Sequence, residues 1–176
     1  MAIRPILETP DPRLRVKSVP VETVDDDVRA LIADMFETMY DAPGIGLAAV
    51  QIGVPKRILV MDLQEDGPDD TRIKRPRVFI NPELSEPAED RSLYNEGCLS
   101  VPDQYADVER PVAVQARWMD EHGVQHDERL EGMIATVIQH EMDHLQGVLF
   151  IDHLSRLKRD IVLKKLEKAR KMRRAA

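Results

Sequence analysis

Residues 133–145 read MIATVIQHEMDHL, a stretch with the apolar content of a buried helix and the pattern His-Glu-x-x-His. Apolar side chains fall on every face of a helix drawn through it, as is typical of a core helix. His140 and His144, four residues apart, share one helix face and can bind one metal ion. Glu141 would lie beside that ion, where it can take a proton from a water molecule that the metal activates. The stretch predicts a metal-dependent hydrolase built around a central helix.

The pattern is not decisive alone, because it also arises by chance on helices whose histidines only pack or face solvent. The predicted burial of this helix strengthens the interpretation of the two histidines as metal ligands. Polar side chains on a core helix are costly unless they are paired, and a metal ion is the simplest shared partner for two imidazoles.

Length and composition indicate a single domain, residues 1–176, with 43% hydrophobic and 32% charged residues. We expect a monomeric, cytoplasmic protein without a membrane partner, since no apolar run is long enough to span a bilayer and the N-terminus lacks the apolar core of a secretory signal. The single cysteine, Cys98, cannot form an internal disulfide.

Charge is concentrated at the C-terminal end of the sequence. Residues 155–176 contain ten basic and two acidic side chains, although the whole chain has a net charge of −7. Apolar residues recur there at helical spacing, which predicts a basic amphipathic helix. Two interpretations stay open: a solvated helix packed on an acidic body, or a binding site for an anionic partner such as RNA.

The order of the predicted elements indicates an α+β fold. Helical periodicity predicts an N-terminal helix over residues 25–40, and residues 64–76 form a charged loop with glycine and proline. Short strands are predicted at residues 57–63, 78–81, 112–118 and 124–129. Strands grouped between helices, without regular alternation, favour antiparallel β-sheets packed around the central helix.

A catalytic metal usually has three protein ligands, so a third donor is needed. The extended pattern that places a third histidine six residues after His144 fails, because that residue is Phe150. Glu167, in the basic helix, is a poor candidate. The thiolate of Cys98 would be a strong ligand, although a lone cysteine is often only a small buried hydrophobe. A closed structural site would instead combine Cys98 with one of the remaining histidines, which are His122, His126 and His153.

Three motifs in this order resemble the polypeptide deformylase family. They are GIGLAAVQ at residues 44–51, EGCLS at 96–100 and QHEMDH at 139–144. The resemblance implies hydrolysis of the N-formyl group of the initiator methionine, with release of formate. It also implies a role for each of six residues: Cys98, His140 and His144 as metal ligands, Glu141 as general base, and the Gln51 side-chain amide and Leu99 backbone N–H as donors to the oxyanion.

The resemblance further implies an extended peptide paired with the glycine-rich segment 44–46, that is Gly44, Ile45 and Gly46, and passing Gly97. We expect Val137 and Met133, one and two helical turns before His140, to line a pocket for the methionine side chain, with Tyr94 as a weaker candidate. Tyr105 and Asn95 differ from residues common in the family, which suggests altered contacts at the pocket rim.

The family resemblance implies one divalent metal ion, Fe²⁺ first, with Zn²⁺, Ni²⁺ or Co²⁺ also compatible with two histidines and a thiolate. Its partners would be N-formylmethionyl nascent peptides and, through residues 155–176, the ribosome. Two other functions fit the pattern less well: a metallopeptidase that cuts internal bonds, and a non-catalytic, metal-stabilised protein that binds RNA or the ribosome.

Overall fold

The computed structural model describes all 176 residues and contains three α-helices and nine β-strands. The helices are α1 (Asp26–Asp41), α2 (Met133–Leu145) and α3 (Arg156–Ala175). The strands are β1 (Gly46–Ala48), β2 (Ile58–Met61), β3 (Glu65–Asp66), β4 (Arg72–Ile73), β5 (Arg77–Ser85), β6 (Arg91–Cys98), β7 (Val101–Pro111), β8 (Ala113–Met119) and β9 (Gln125–Glu131). The predicted α+β class with antiparallel sheets is confirmed.

The main sheet has five antiparallel strands in the order β1-β2-β5-β8-β9. One of its faces packs against α1, where Met35 and Met39 are fully buried. The other face packs against α2, whose Ile138 and Leu145 are fully buried with Phe79 and Trp118 of the sheet. The sheet therefore separates two apolar cores, and α2 lies in one of them as its composition predicts.

Two antiparallel hairpins stand apart from the main sheet. The larger, β6 with β7, was not predicted, and it makes Cys98 the last residue of a strand rather than part of a connection. The smaller, β3 with β4, lies within residues 64–76, where the sequence predicted only a charged loop, so that prediction missed a short hairpin. Its strands are two residues each, too short to show a periodic pattern.

Helix α3 is amphipathic, as predicted, but its apolar side is narrow. Only Val162 and Leu166 are buried, against Val101 and Phe150, and Ser155 caps the first turn by accepting a hydrogen bond from Lys158 N at 3.3 Å. The remaining sides carry the basic residues into solvent. None of the three helices is both long and apolar enough to cross a lipid bilayer.

Candidate metal centre

Three side chains from two elements converge between β6 and α2. Cys98 ends β6, while His140 and His144 project from one face of α2, and the donor atoms of all three lie within 4.8 Å of one another. Cys98 Sγ is 3.3 Å from His144 Nε2. A tetrahedral ion with bonds of about 2.0–2.3 Å separates its donor atoms by roughly 3.5 Å, so this cluster has the spacing and donor chemistry for one ion.

The other histidines lie outside the cluster. His122 is exposed beside Glu121, His126 bonds Asp120 at 2.7 Å, and His153 bonds Asp143 at 2.7 Å. The cluster thus offers three protein donors, the number typical of a catalytic metal with one open position, and a closed four-ligand site with a further histidine is not formed.

Glu141 is buried next to the cluster with one oxygen, Oε2, unpaired. Burial raises the pKa of its carboxyl group to about 7, because the surrounding protein solvates the charge poorly. Burial also holds the pKa of His144 well below its ordinary value, which keeps the imidazole neutral as a metal ligand must be.

Gly46 is what allows Glu141 to occupy this position. A Cβ added to Gly46 would lie 2.6 Å from Glu141 Oε1 and 3.0 Å from Cδ, closer than side-chain atoms tolerate. Gly44 makes a similar approach to Leu99, since its added Cβ would lie 2.8 Å from Leu99 Cδ1. The glycine-rich segment therefore lies directly over the carboxylate and the residue after Cys98.

Glu96 and Arg110 form a second layer that sequence reasoning missed. Glu96 Oε1 is 2.8 Å from His140 Nδ1, which leaves Nε2 of that ring as the donor toward the cluster. Arg110 donates to both oxygens of Glu96, at 2.6 and 3.0 Å, and to Asp143 at 3.0 Å. Burial opposes the charge of Glu96, but the hydrogen bonds from His140 and Arg110 hold its pKa below the ordinary value.

A signal for Glu96 was present in the sequence. It lies two residues before Cys98, and alternate residues of a strand share one face, so both side chains point toward α2 once β6 is recognised. Arg110 had no such signal, because it is fourteen residues after Glu96 and meets it only through the pairing of β6 with β7.

Gln51 is buried and its amide orientation is fixed. Its Oε1 accepts a hydrogen bond from Ala48 N at 2.9 Å, while Nε2 donates to Ser100 Oγ at 3.0 Å and lies 3.6 Å from Cys98 Sγ. The donor end of the amide therefore faces the cluster.

A cavity of about 770 Å³ opens over the cluster. Most of the predicted site residues line it, namely Gly44, Ile45, Gly46, Gln51, Gly97, Cys98, Leu99, Val137, His140 and Glu141. Tyr94, Asn95 and Tyr105 are at its rim, and the Tyr105 ring covers Gly97 so closely that a side chain at Gly97 would have to displace the ring.

Met133 is placed differently from the prediction. It lines a separate, smaller cavity of about 250 Å³ with Met61 and Ile134. Met133 precedes His140 by seven positions, which is about 10 Å of helical rise, whereas Val137 is about 4.5 Å away along the axis. Sharing a helix face with the ligands was not sufficient to reach the large cavity.

The buried arginine yields a stability prediction. We expect Arg110→Met to lower the free energy of unfolding by about 3–5 kcal/mol, because it leaves the charge of Glu96 buried without its main partner. Arg91→Met is the matched control on the same hairpin: Arg91 is exposed and 3.8 Å from Glu109, so the change should be within about 0.5 kcal/mol. Urea unfolding measures both, and equal midpoints for the two variants would contradict the prediction.

Comparison with known proteins identifies the family. The polypeptide deformylase family model matches residues 3–160. The chain is 71% identical to a peptide deformylase of Rhizorhabdus wittichii, with 100% of each chain covered. It is 62% identical to the peptide deformylase of Zymomonas mobilis, with 98% of each covered.

Solved structures agree with the sequence relatives. A crystal structure of a peptide deformylase from Legionella pneumophila is 43% identical and superimposes with a TM-score of 0.90, covering 99% of each chain. The Ehrlichia chaffeensis peptide deformylase in complex with actinonin is 40% identical with a TM-score of 0.89, covering 96% of this chain and 98% of the other. With these matches along nearly its whole length, the chain belongs to the polypeptide deformylase family.

Proposed function

We propose that this enzyme hydrolyses the N-formyl group of formylmethionyl peptides and releases formate. The observation that carries the proposal is the cluster of Cys98, His140 and His144 beside the buried, partly unpaired carboxylate of Glu141, at the floor of a peptide-sized cavity. Family membership supports the same activity. Neither a metallopeptidase nor a non-catalytic RNA-binding protein has support among the relatives.

Different residues of the site carry out the separate parts of the proposed reaction. A divalent ion held by Cys98, His140 and His144 would supply a Lewis acid and lower the pKa of a water molecule in its open position. Glu141 takes the proton of the attacking water and later delivers it to the amine that leaves as the carbon–nitrogen bond breaks. Gln51 Nε2 and the Leu99 backbone N–H donate to the oxygen on which negative charge develops.

Substrate binding relies on the backbone. An extended peptide adds as a strand along Gly44, Ile45 and Gly46, with Gly97 on the opposite wall, because β1 is the outermost strand of its sheet and has a free edge. Val137 contributes to the apolar pocket for the methionine side chain. Met133, the other residue predicted for this pocket, lies in the neighbouring cavity.

The direct test is formate release from formyl-Met-Ala-Ser by anaerobically prepared iron protein. Glu141→Ala should lower the rate by about 10²–10⁴-fold, because the proton acceptor is lost while the three ligand side chains remain. Metal content, measured on the same preparation, should be unchanged. An unmodified iron protein that releases no formate would disprove the proposed function.

The metal in this proposal is Fe²⁺. A soft thiolate with two imidazoles also suits zinc, nickel and cobalt, so the donor set alone does not select iron. We expect protein purified anaerobically to contain about one iron per chain and to lose activity in air as Cys98 is oxidised. Metal analysis before and after aeration measures this, and a zinc-filled protein with full activity in air would contradict it.

The basic surface of α3 is proposed to bind ribosomal RNA, which would place the enzyme near emerging chains. Lys164, Lys165 and Lys168 are exposed, while the buried side of the helix is fixed by Val162 and Leu166. The tail thereby packs on the body, consistent with a single domain, residues 1–176, which we propose acts as a monomer.

Charge reversal tests the RNA proposal without removing the buried side of α3. Lys164→Glu, Lys165→Glu and Lys168→Glu together should weaken sedimentation with ribosomes on the order of tenfold at low salt, and should leave tripeptide turnover unchanged. Lys17→Glu, Lys56→Glu and Arg91→Glu make the same charge change at other exposed positions and serve as the control. Equal binding by both triple variants would reject the tail as the contact.

A further inference from the structure

The peptide-binding edge has an inner side as well as the free outer side. Residues 44–46 line the cavity on one side and are held on the other by the chain that follows β2. The alignment of the free edge therefore depends on the hydrogen bonds that hold residues 44 and 45. An edge strand that shifts offers its groups to an incoming strand in the wrong register.

Two hydrogen bonds hold residues 44 and 45, which immediately precede β1. Asp62 N donates to Ile45 O at 2.9 Å, which continues the pairing with β2 by one backbone bond. The next bond is made by a side chain: Gln64 Nε2 donates to Gly44 O at 3.0 Å. A glutamine amide thus fixes the carbonyl group that precedes the last backbone bond to β2.

The turn that directs the Gln64 side chain toward Gly44 is held by Asp62, which is 1% exposed. Its Oδ1 accepts hydrogen bonds from Gln64 N and Arg75 N, both at 3.0 Å, and its Oδ2 accepts one from the Tyr40 hydroxyl at 2.6 Å. Burial, together with the bond to Asp62, raises the pKa of Tyr40 well above its usual value, so the hydroxyl remains a donor. The Asp62 carboxylate thereby links α1, through Tyr40, to the segment that follows β4, through Arg75.

The backbone of Gln64 is strained in this turn. Its φ is +50°, in the left-handed region that glycine and asparagine occupy most readily. The left-handed conformation alone does not favour a glutamine at this position. Its hydrogen bond to Gly44 is a gain that a glycine at this position would lack.

We propose that Gln64 is a positioning residue that holds the Gly44–Gly46 edge in the alignment required to pair with the substrate backbone. The inference rests on the proposed deformylase function. Gln64 touches no reacting atom, so it acts on peptide affinity rather than on the chemical step. Its influence grows with the length of peptide backbone that pairs with the edge.

The test compares a tripeptide with a single residue as substrate. Gln64→Gly relieves the left-handed strain and removes the amide, while Gln64→Glu keeps the side-chain length and replaces the amide donor with a charged carboxylate, which only accepts. For formyl-Met-Ala-Ser, both variants should raise KM roughly fivefold, about the contribution of one hydrogen bond, with kcat within about twofold of the unmodified enzyme. For N-formylmethionine, which has no following residues, KM should change less than about twofold.

Thermal unfolding separates positioning from a structural role. Gln64→Gly should unfold at the same or a higher temperature, because glycine accepts the positive φ, even as KM rises. Glu86→Gly is the matched control, since Glu86 is exposed and also has a positive φ, +47°, but contacts no part of the edge. Its KM should not change.

Three results would overturn the inference: an unchanged KM for the tripeptide, an equal rise for both substrates, or a rise in KM that follows a fall in unfolding temperature. An unmodified iron protein that releases no formate would instead overturn the proposed function, and this inference with it. An active unmodified protein with an unaffected Gln64→Gly variant would overturn the inference alone.

Discussion

The interaction on which the site depends is the buried ion pair between Arg110 and Glu96. Helix α2 carries His140, Glu141 and His144 into the core, where polar groups without partners are costly. Glu96 fixes the ring of His140, and Arg110 balances the charge of Glu96 while also bonding Asp143 on the helix. One guanidinium thereby joins the β6–β7 hairpin to α2 and holds Cys98 opposite the two histidines.

The burial of Glu141 also explains the shape of the cavity. A carboxylate such as Glu141 can lie close under a strand only if that strand has no side chain at the point of contact, and Gly46 meets this condition. The glycine-rich segment is therefore both the roof over the carboxylate and the free edge of the main sheet. In the proposed reaction, catalytic geometry and peptide binding are linked at Gly46, so neither can change alone.

Local patterns predicted the helices well and the hairpins poorly. The apolar period of α1 and the continuous apolar run of β2 are readable because each is packed on the core. In β6 and β7 only Glu96, Val101, Val108 and Arg110 are buried, and two of these four are charged, so the apolar alternation that marks a half-buried strand is weak. Their pairing is a long-range property, and the burial of Arg110 follows from it.

The site residues could be predicted from the sequence about as completely as the fold. Two ligands and the carboxylate follow from spacing on one helix, whereas Cys98 required the family resemblance to be chosen over a packing role. Gln51, which without that resemblance would have been interpreted as a surface amide, is 1% exposed. The role inferred for Gln64 depends on a left-handed turn and a bond to Gly44, neither of which any periodic pattern encodes.

The close approach of Gly46 to Glu141 also limits how this enzyme can escape an inhibitor. A ligand that takes its affinity from the N–H and C=O groups of residues 44–46 binds atoms that every amino acid except proline retains. Adding a side chain at Gly46 to obstruct such a ligand would displace Glu141, the carboxylate that the proposed reaction requires. Substitutions that confer resistance would have to occur farther from the metal, where a substitution lowers the affinity of the inhibitor less.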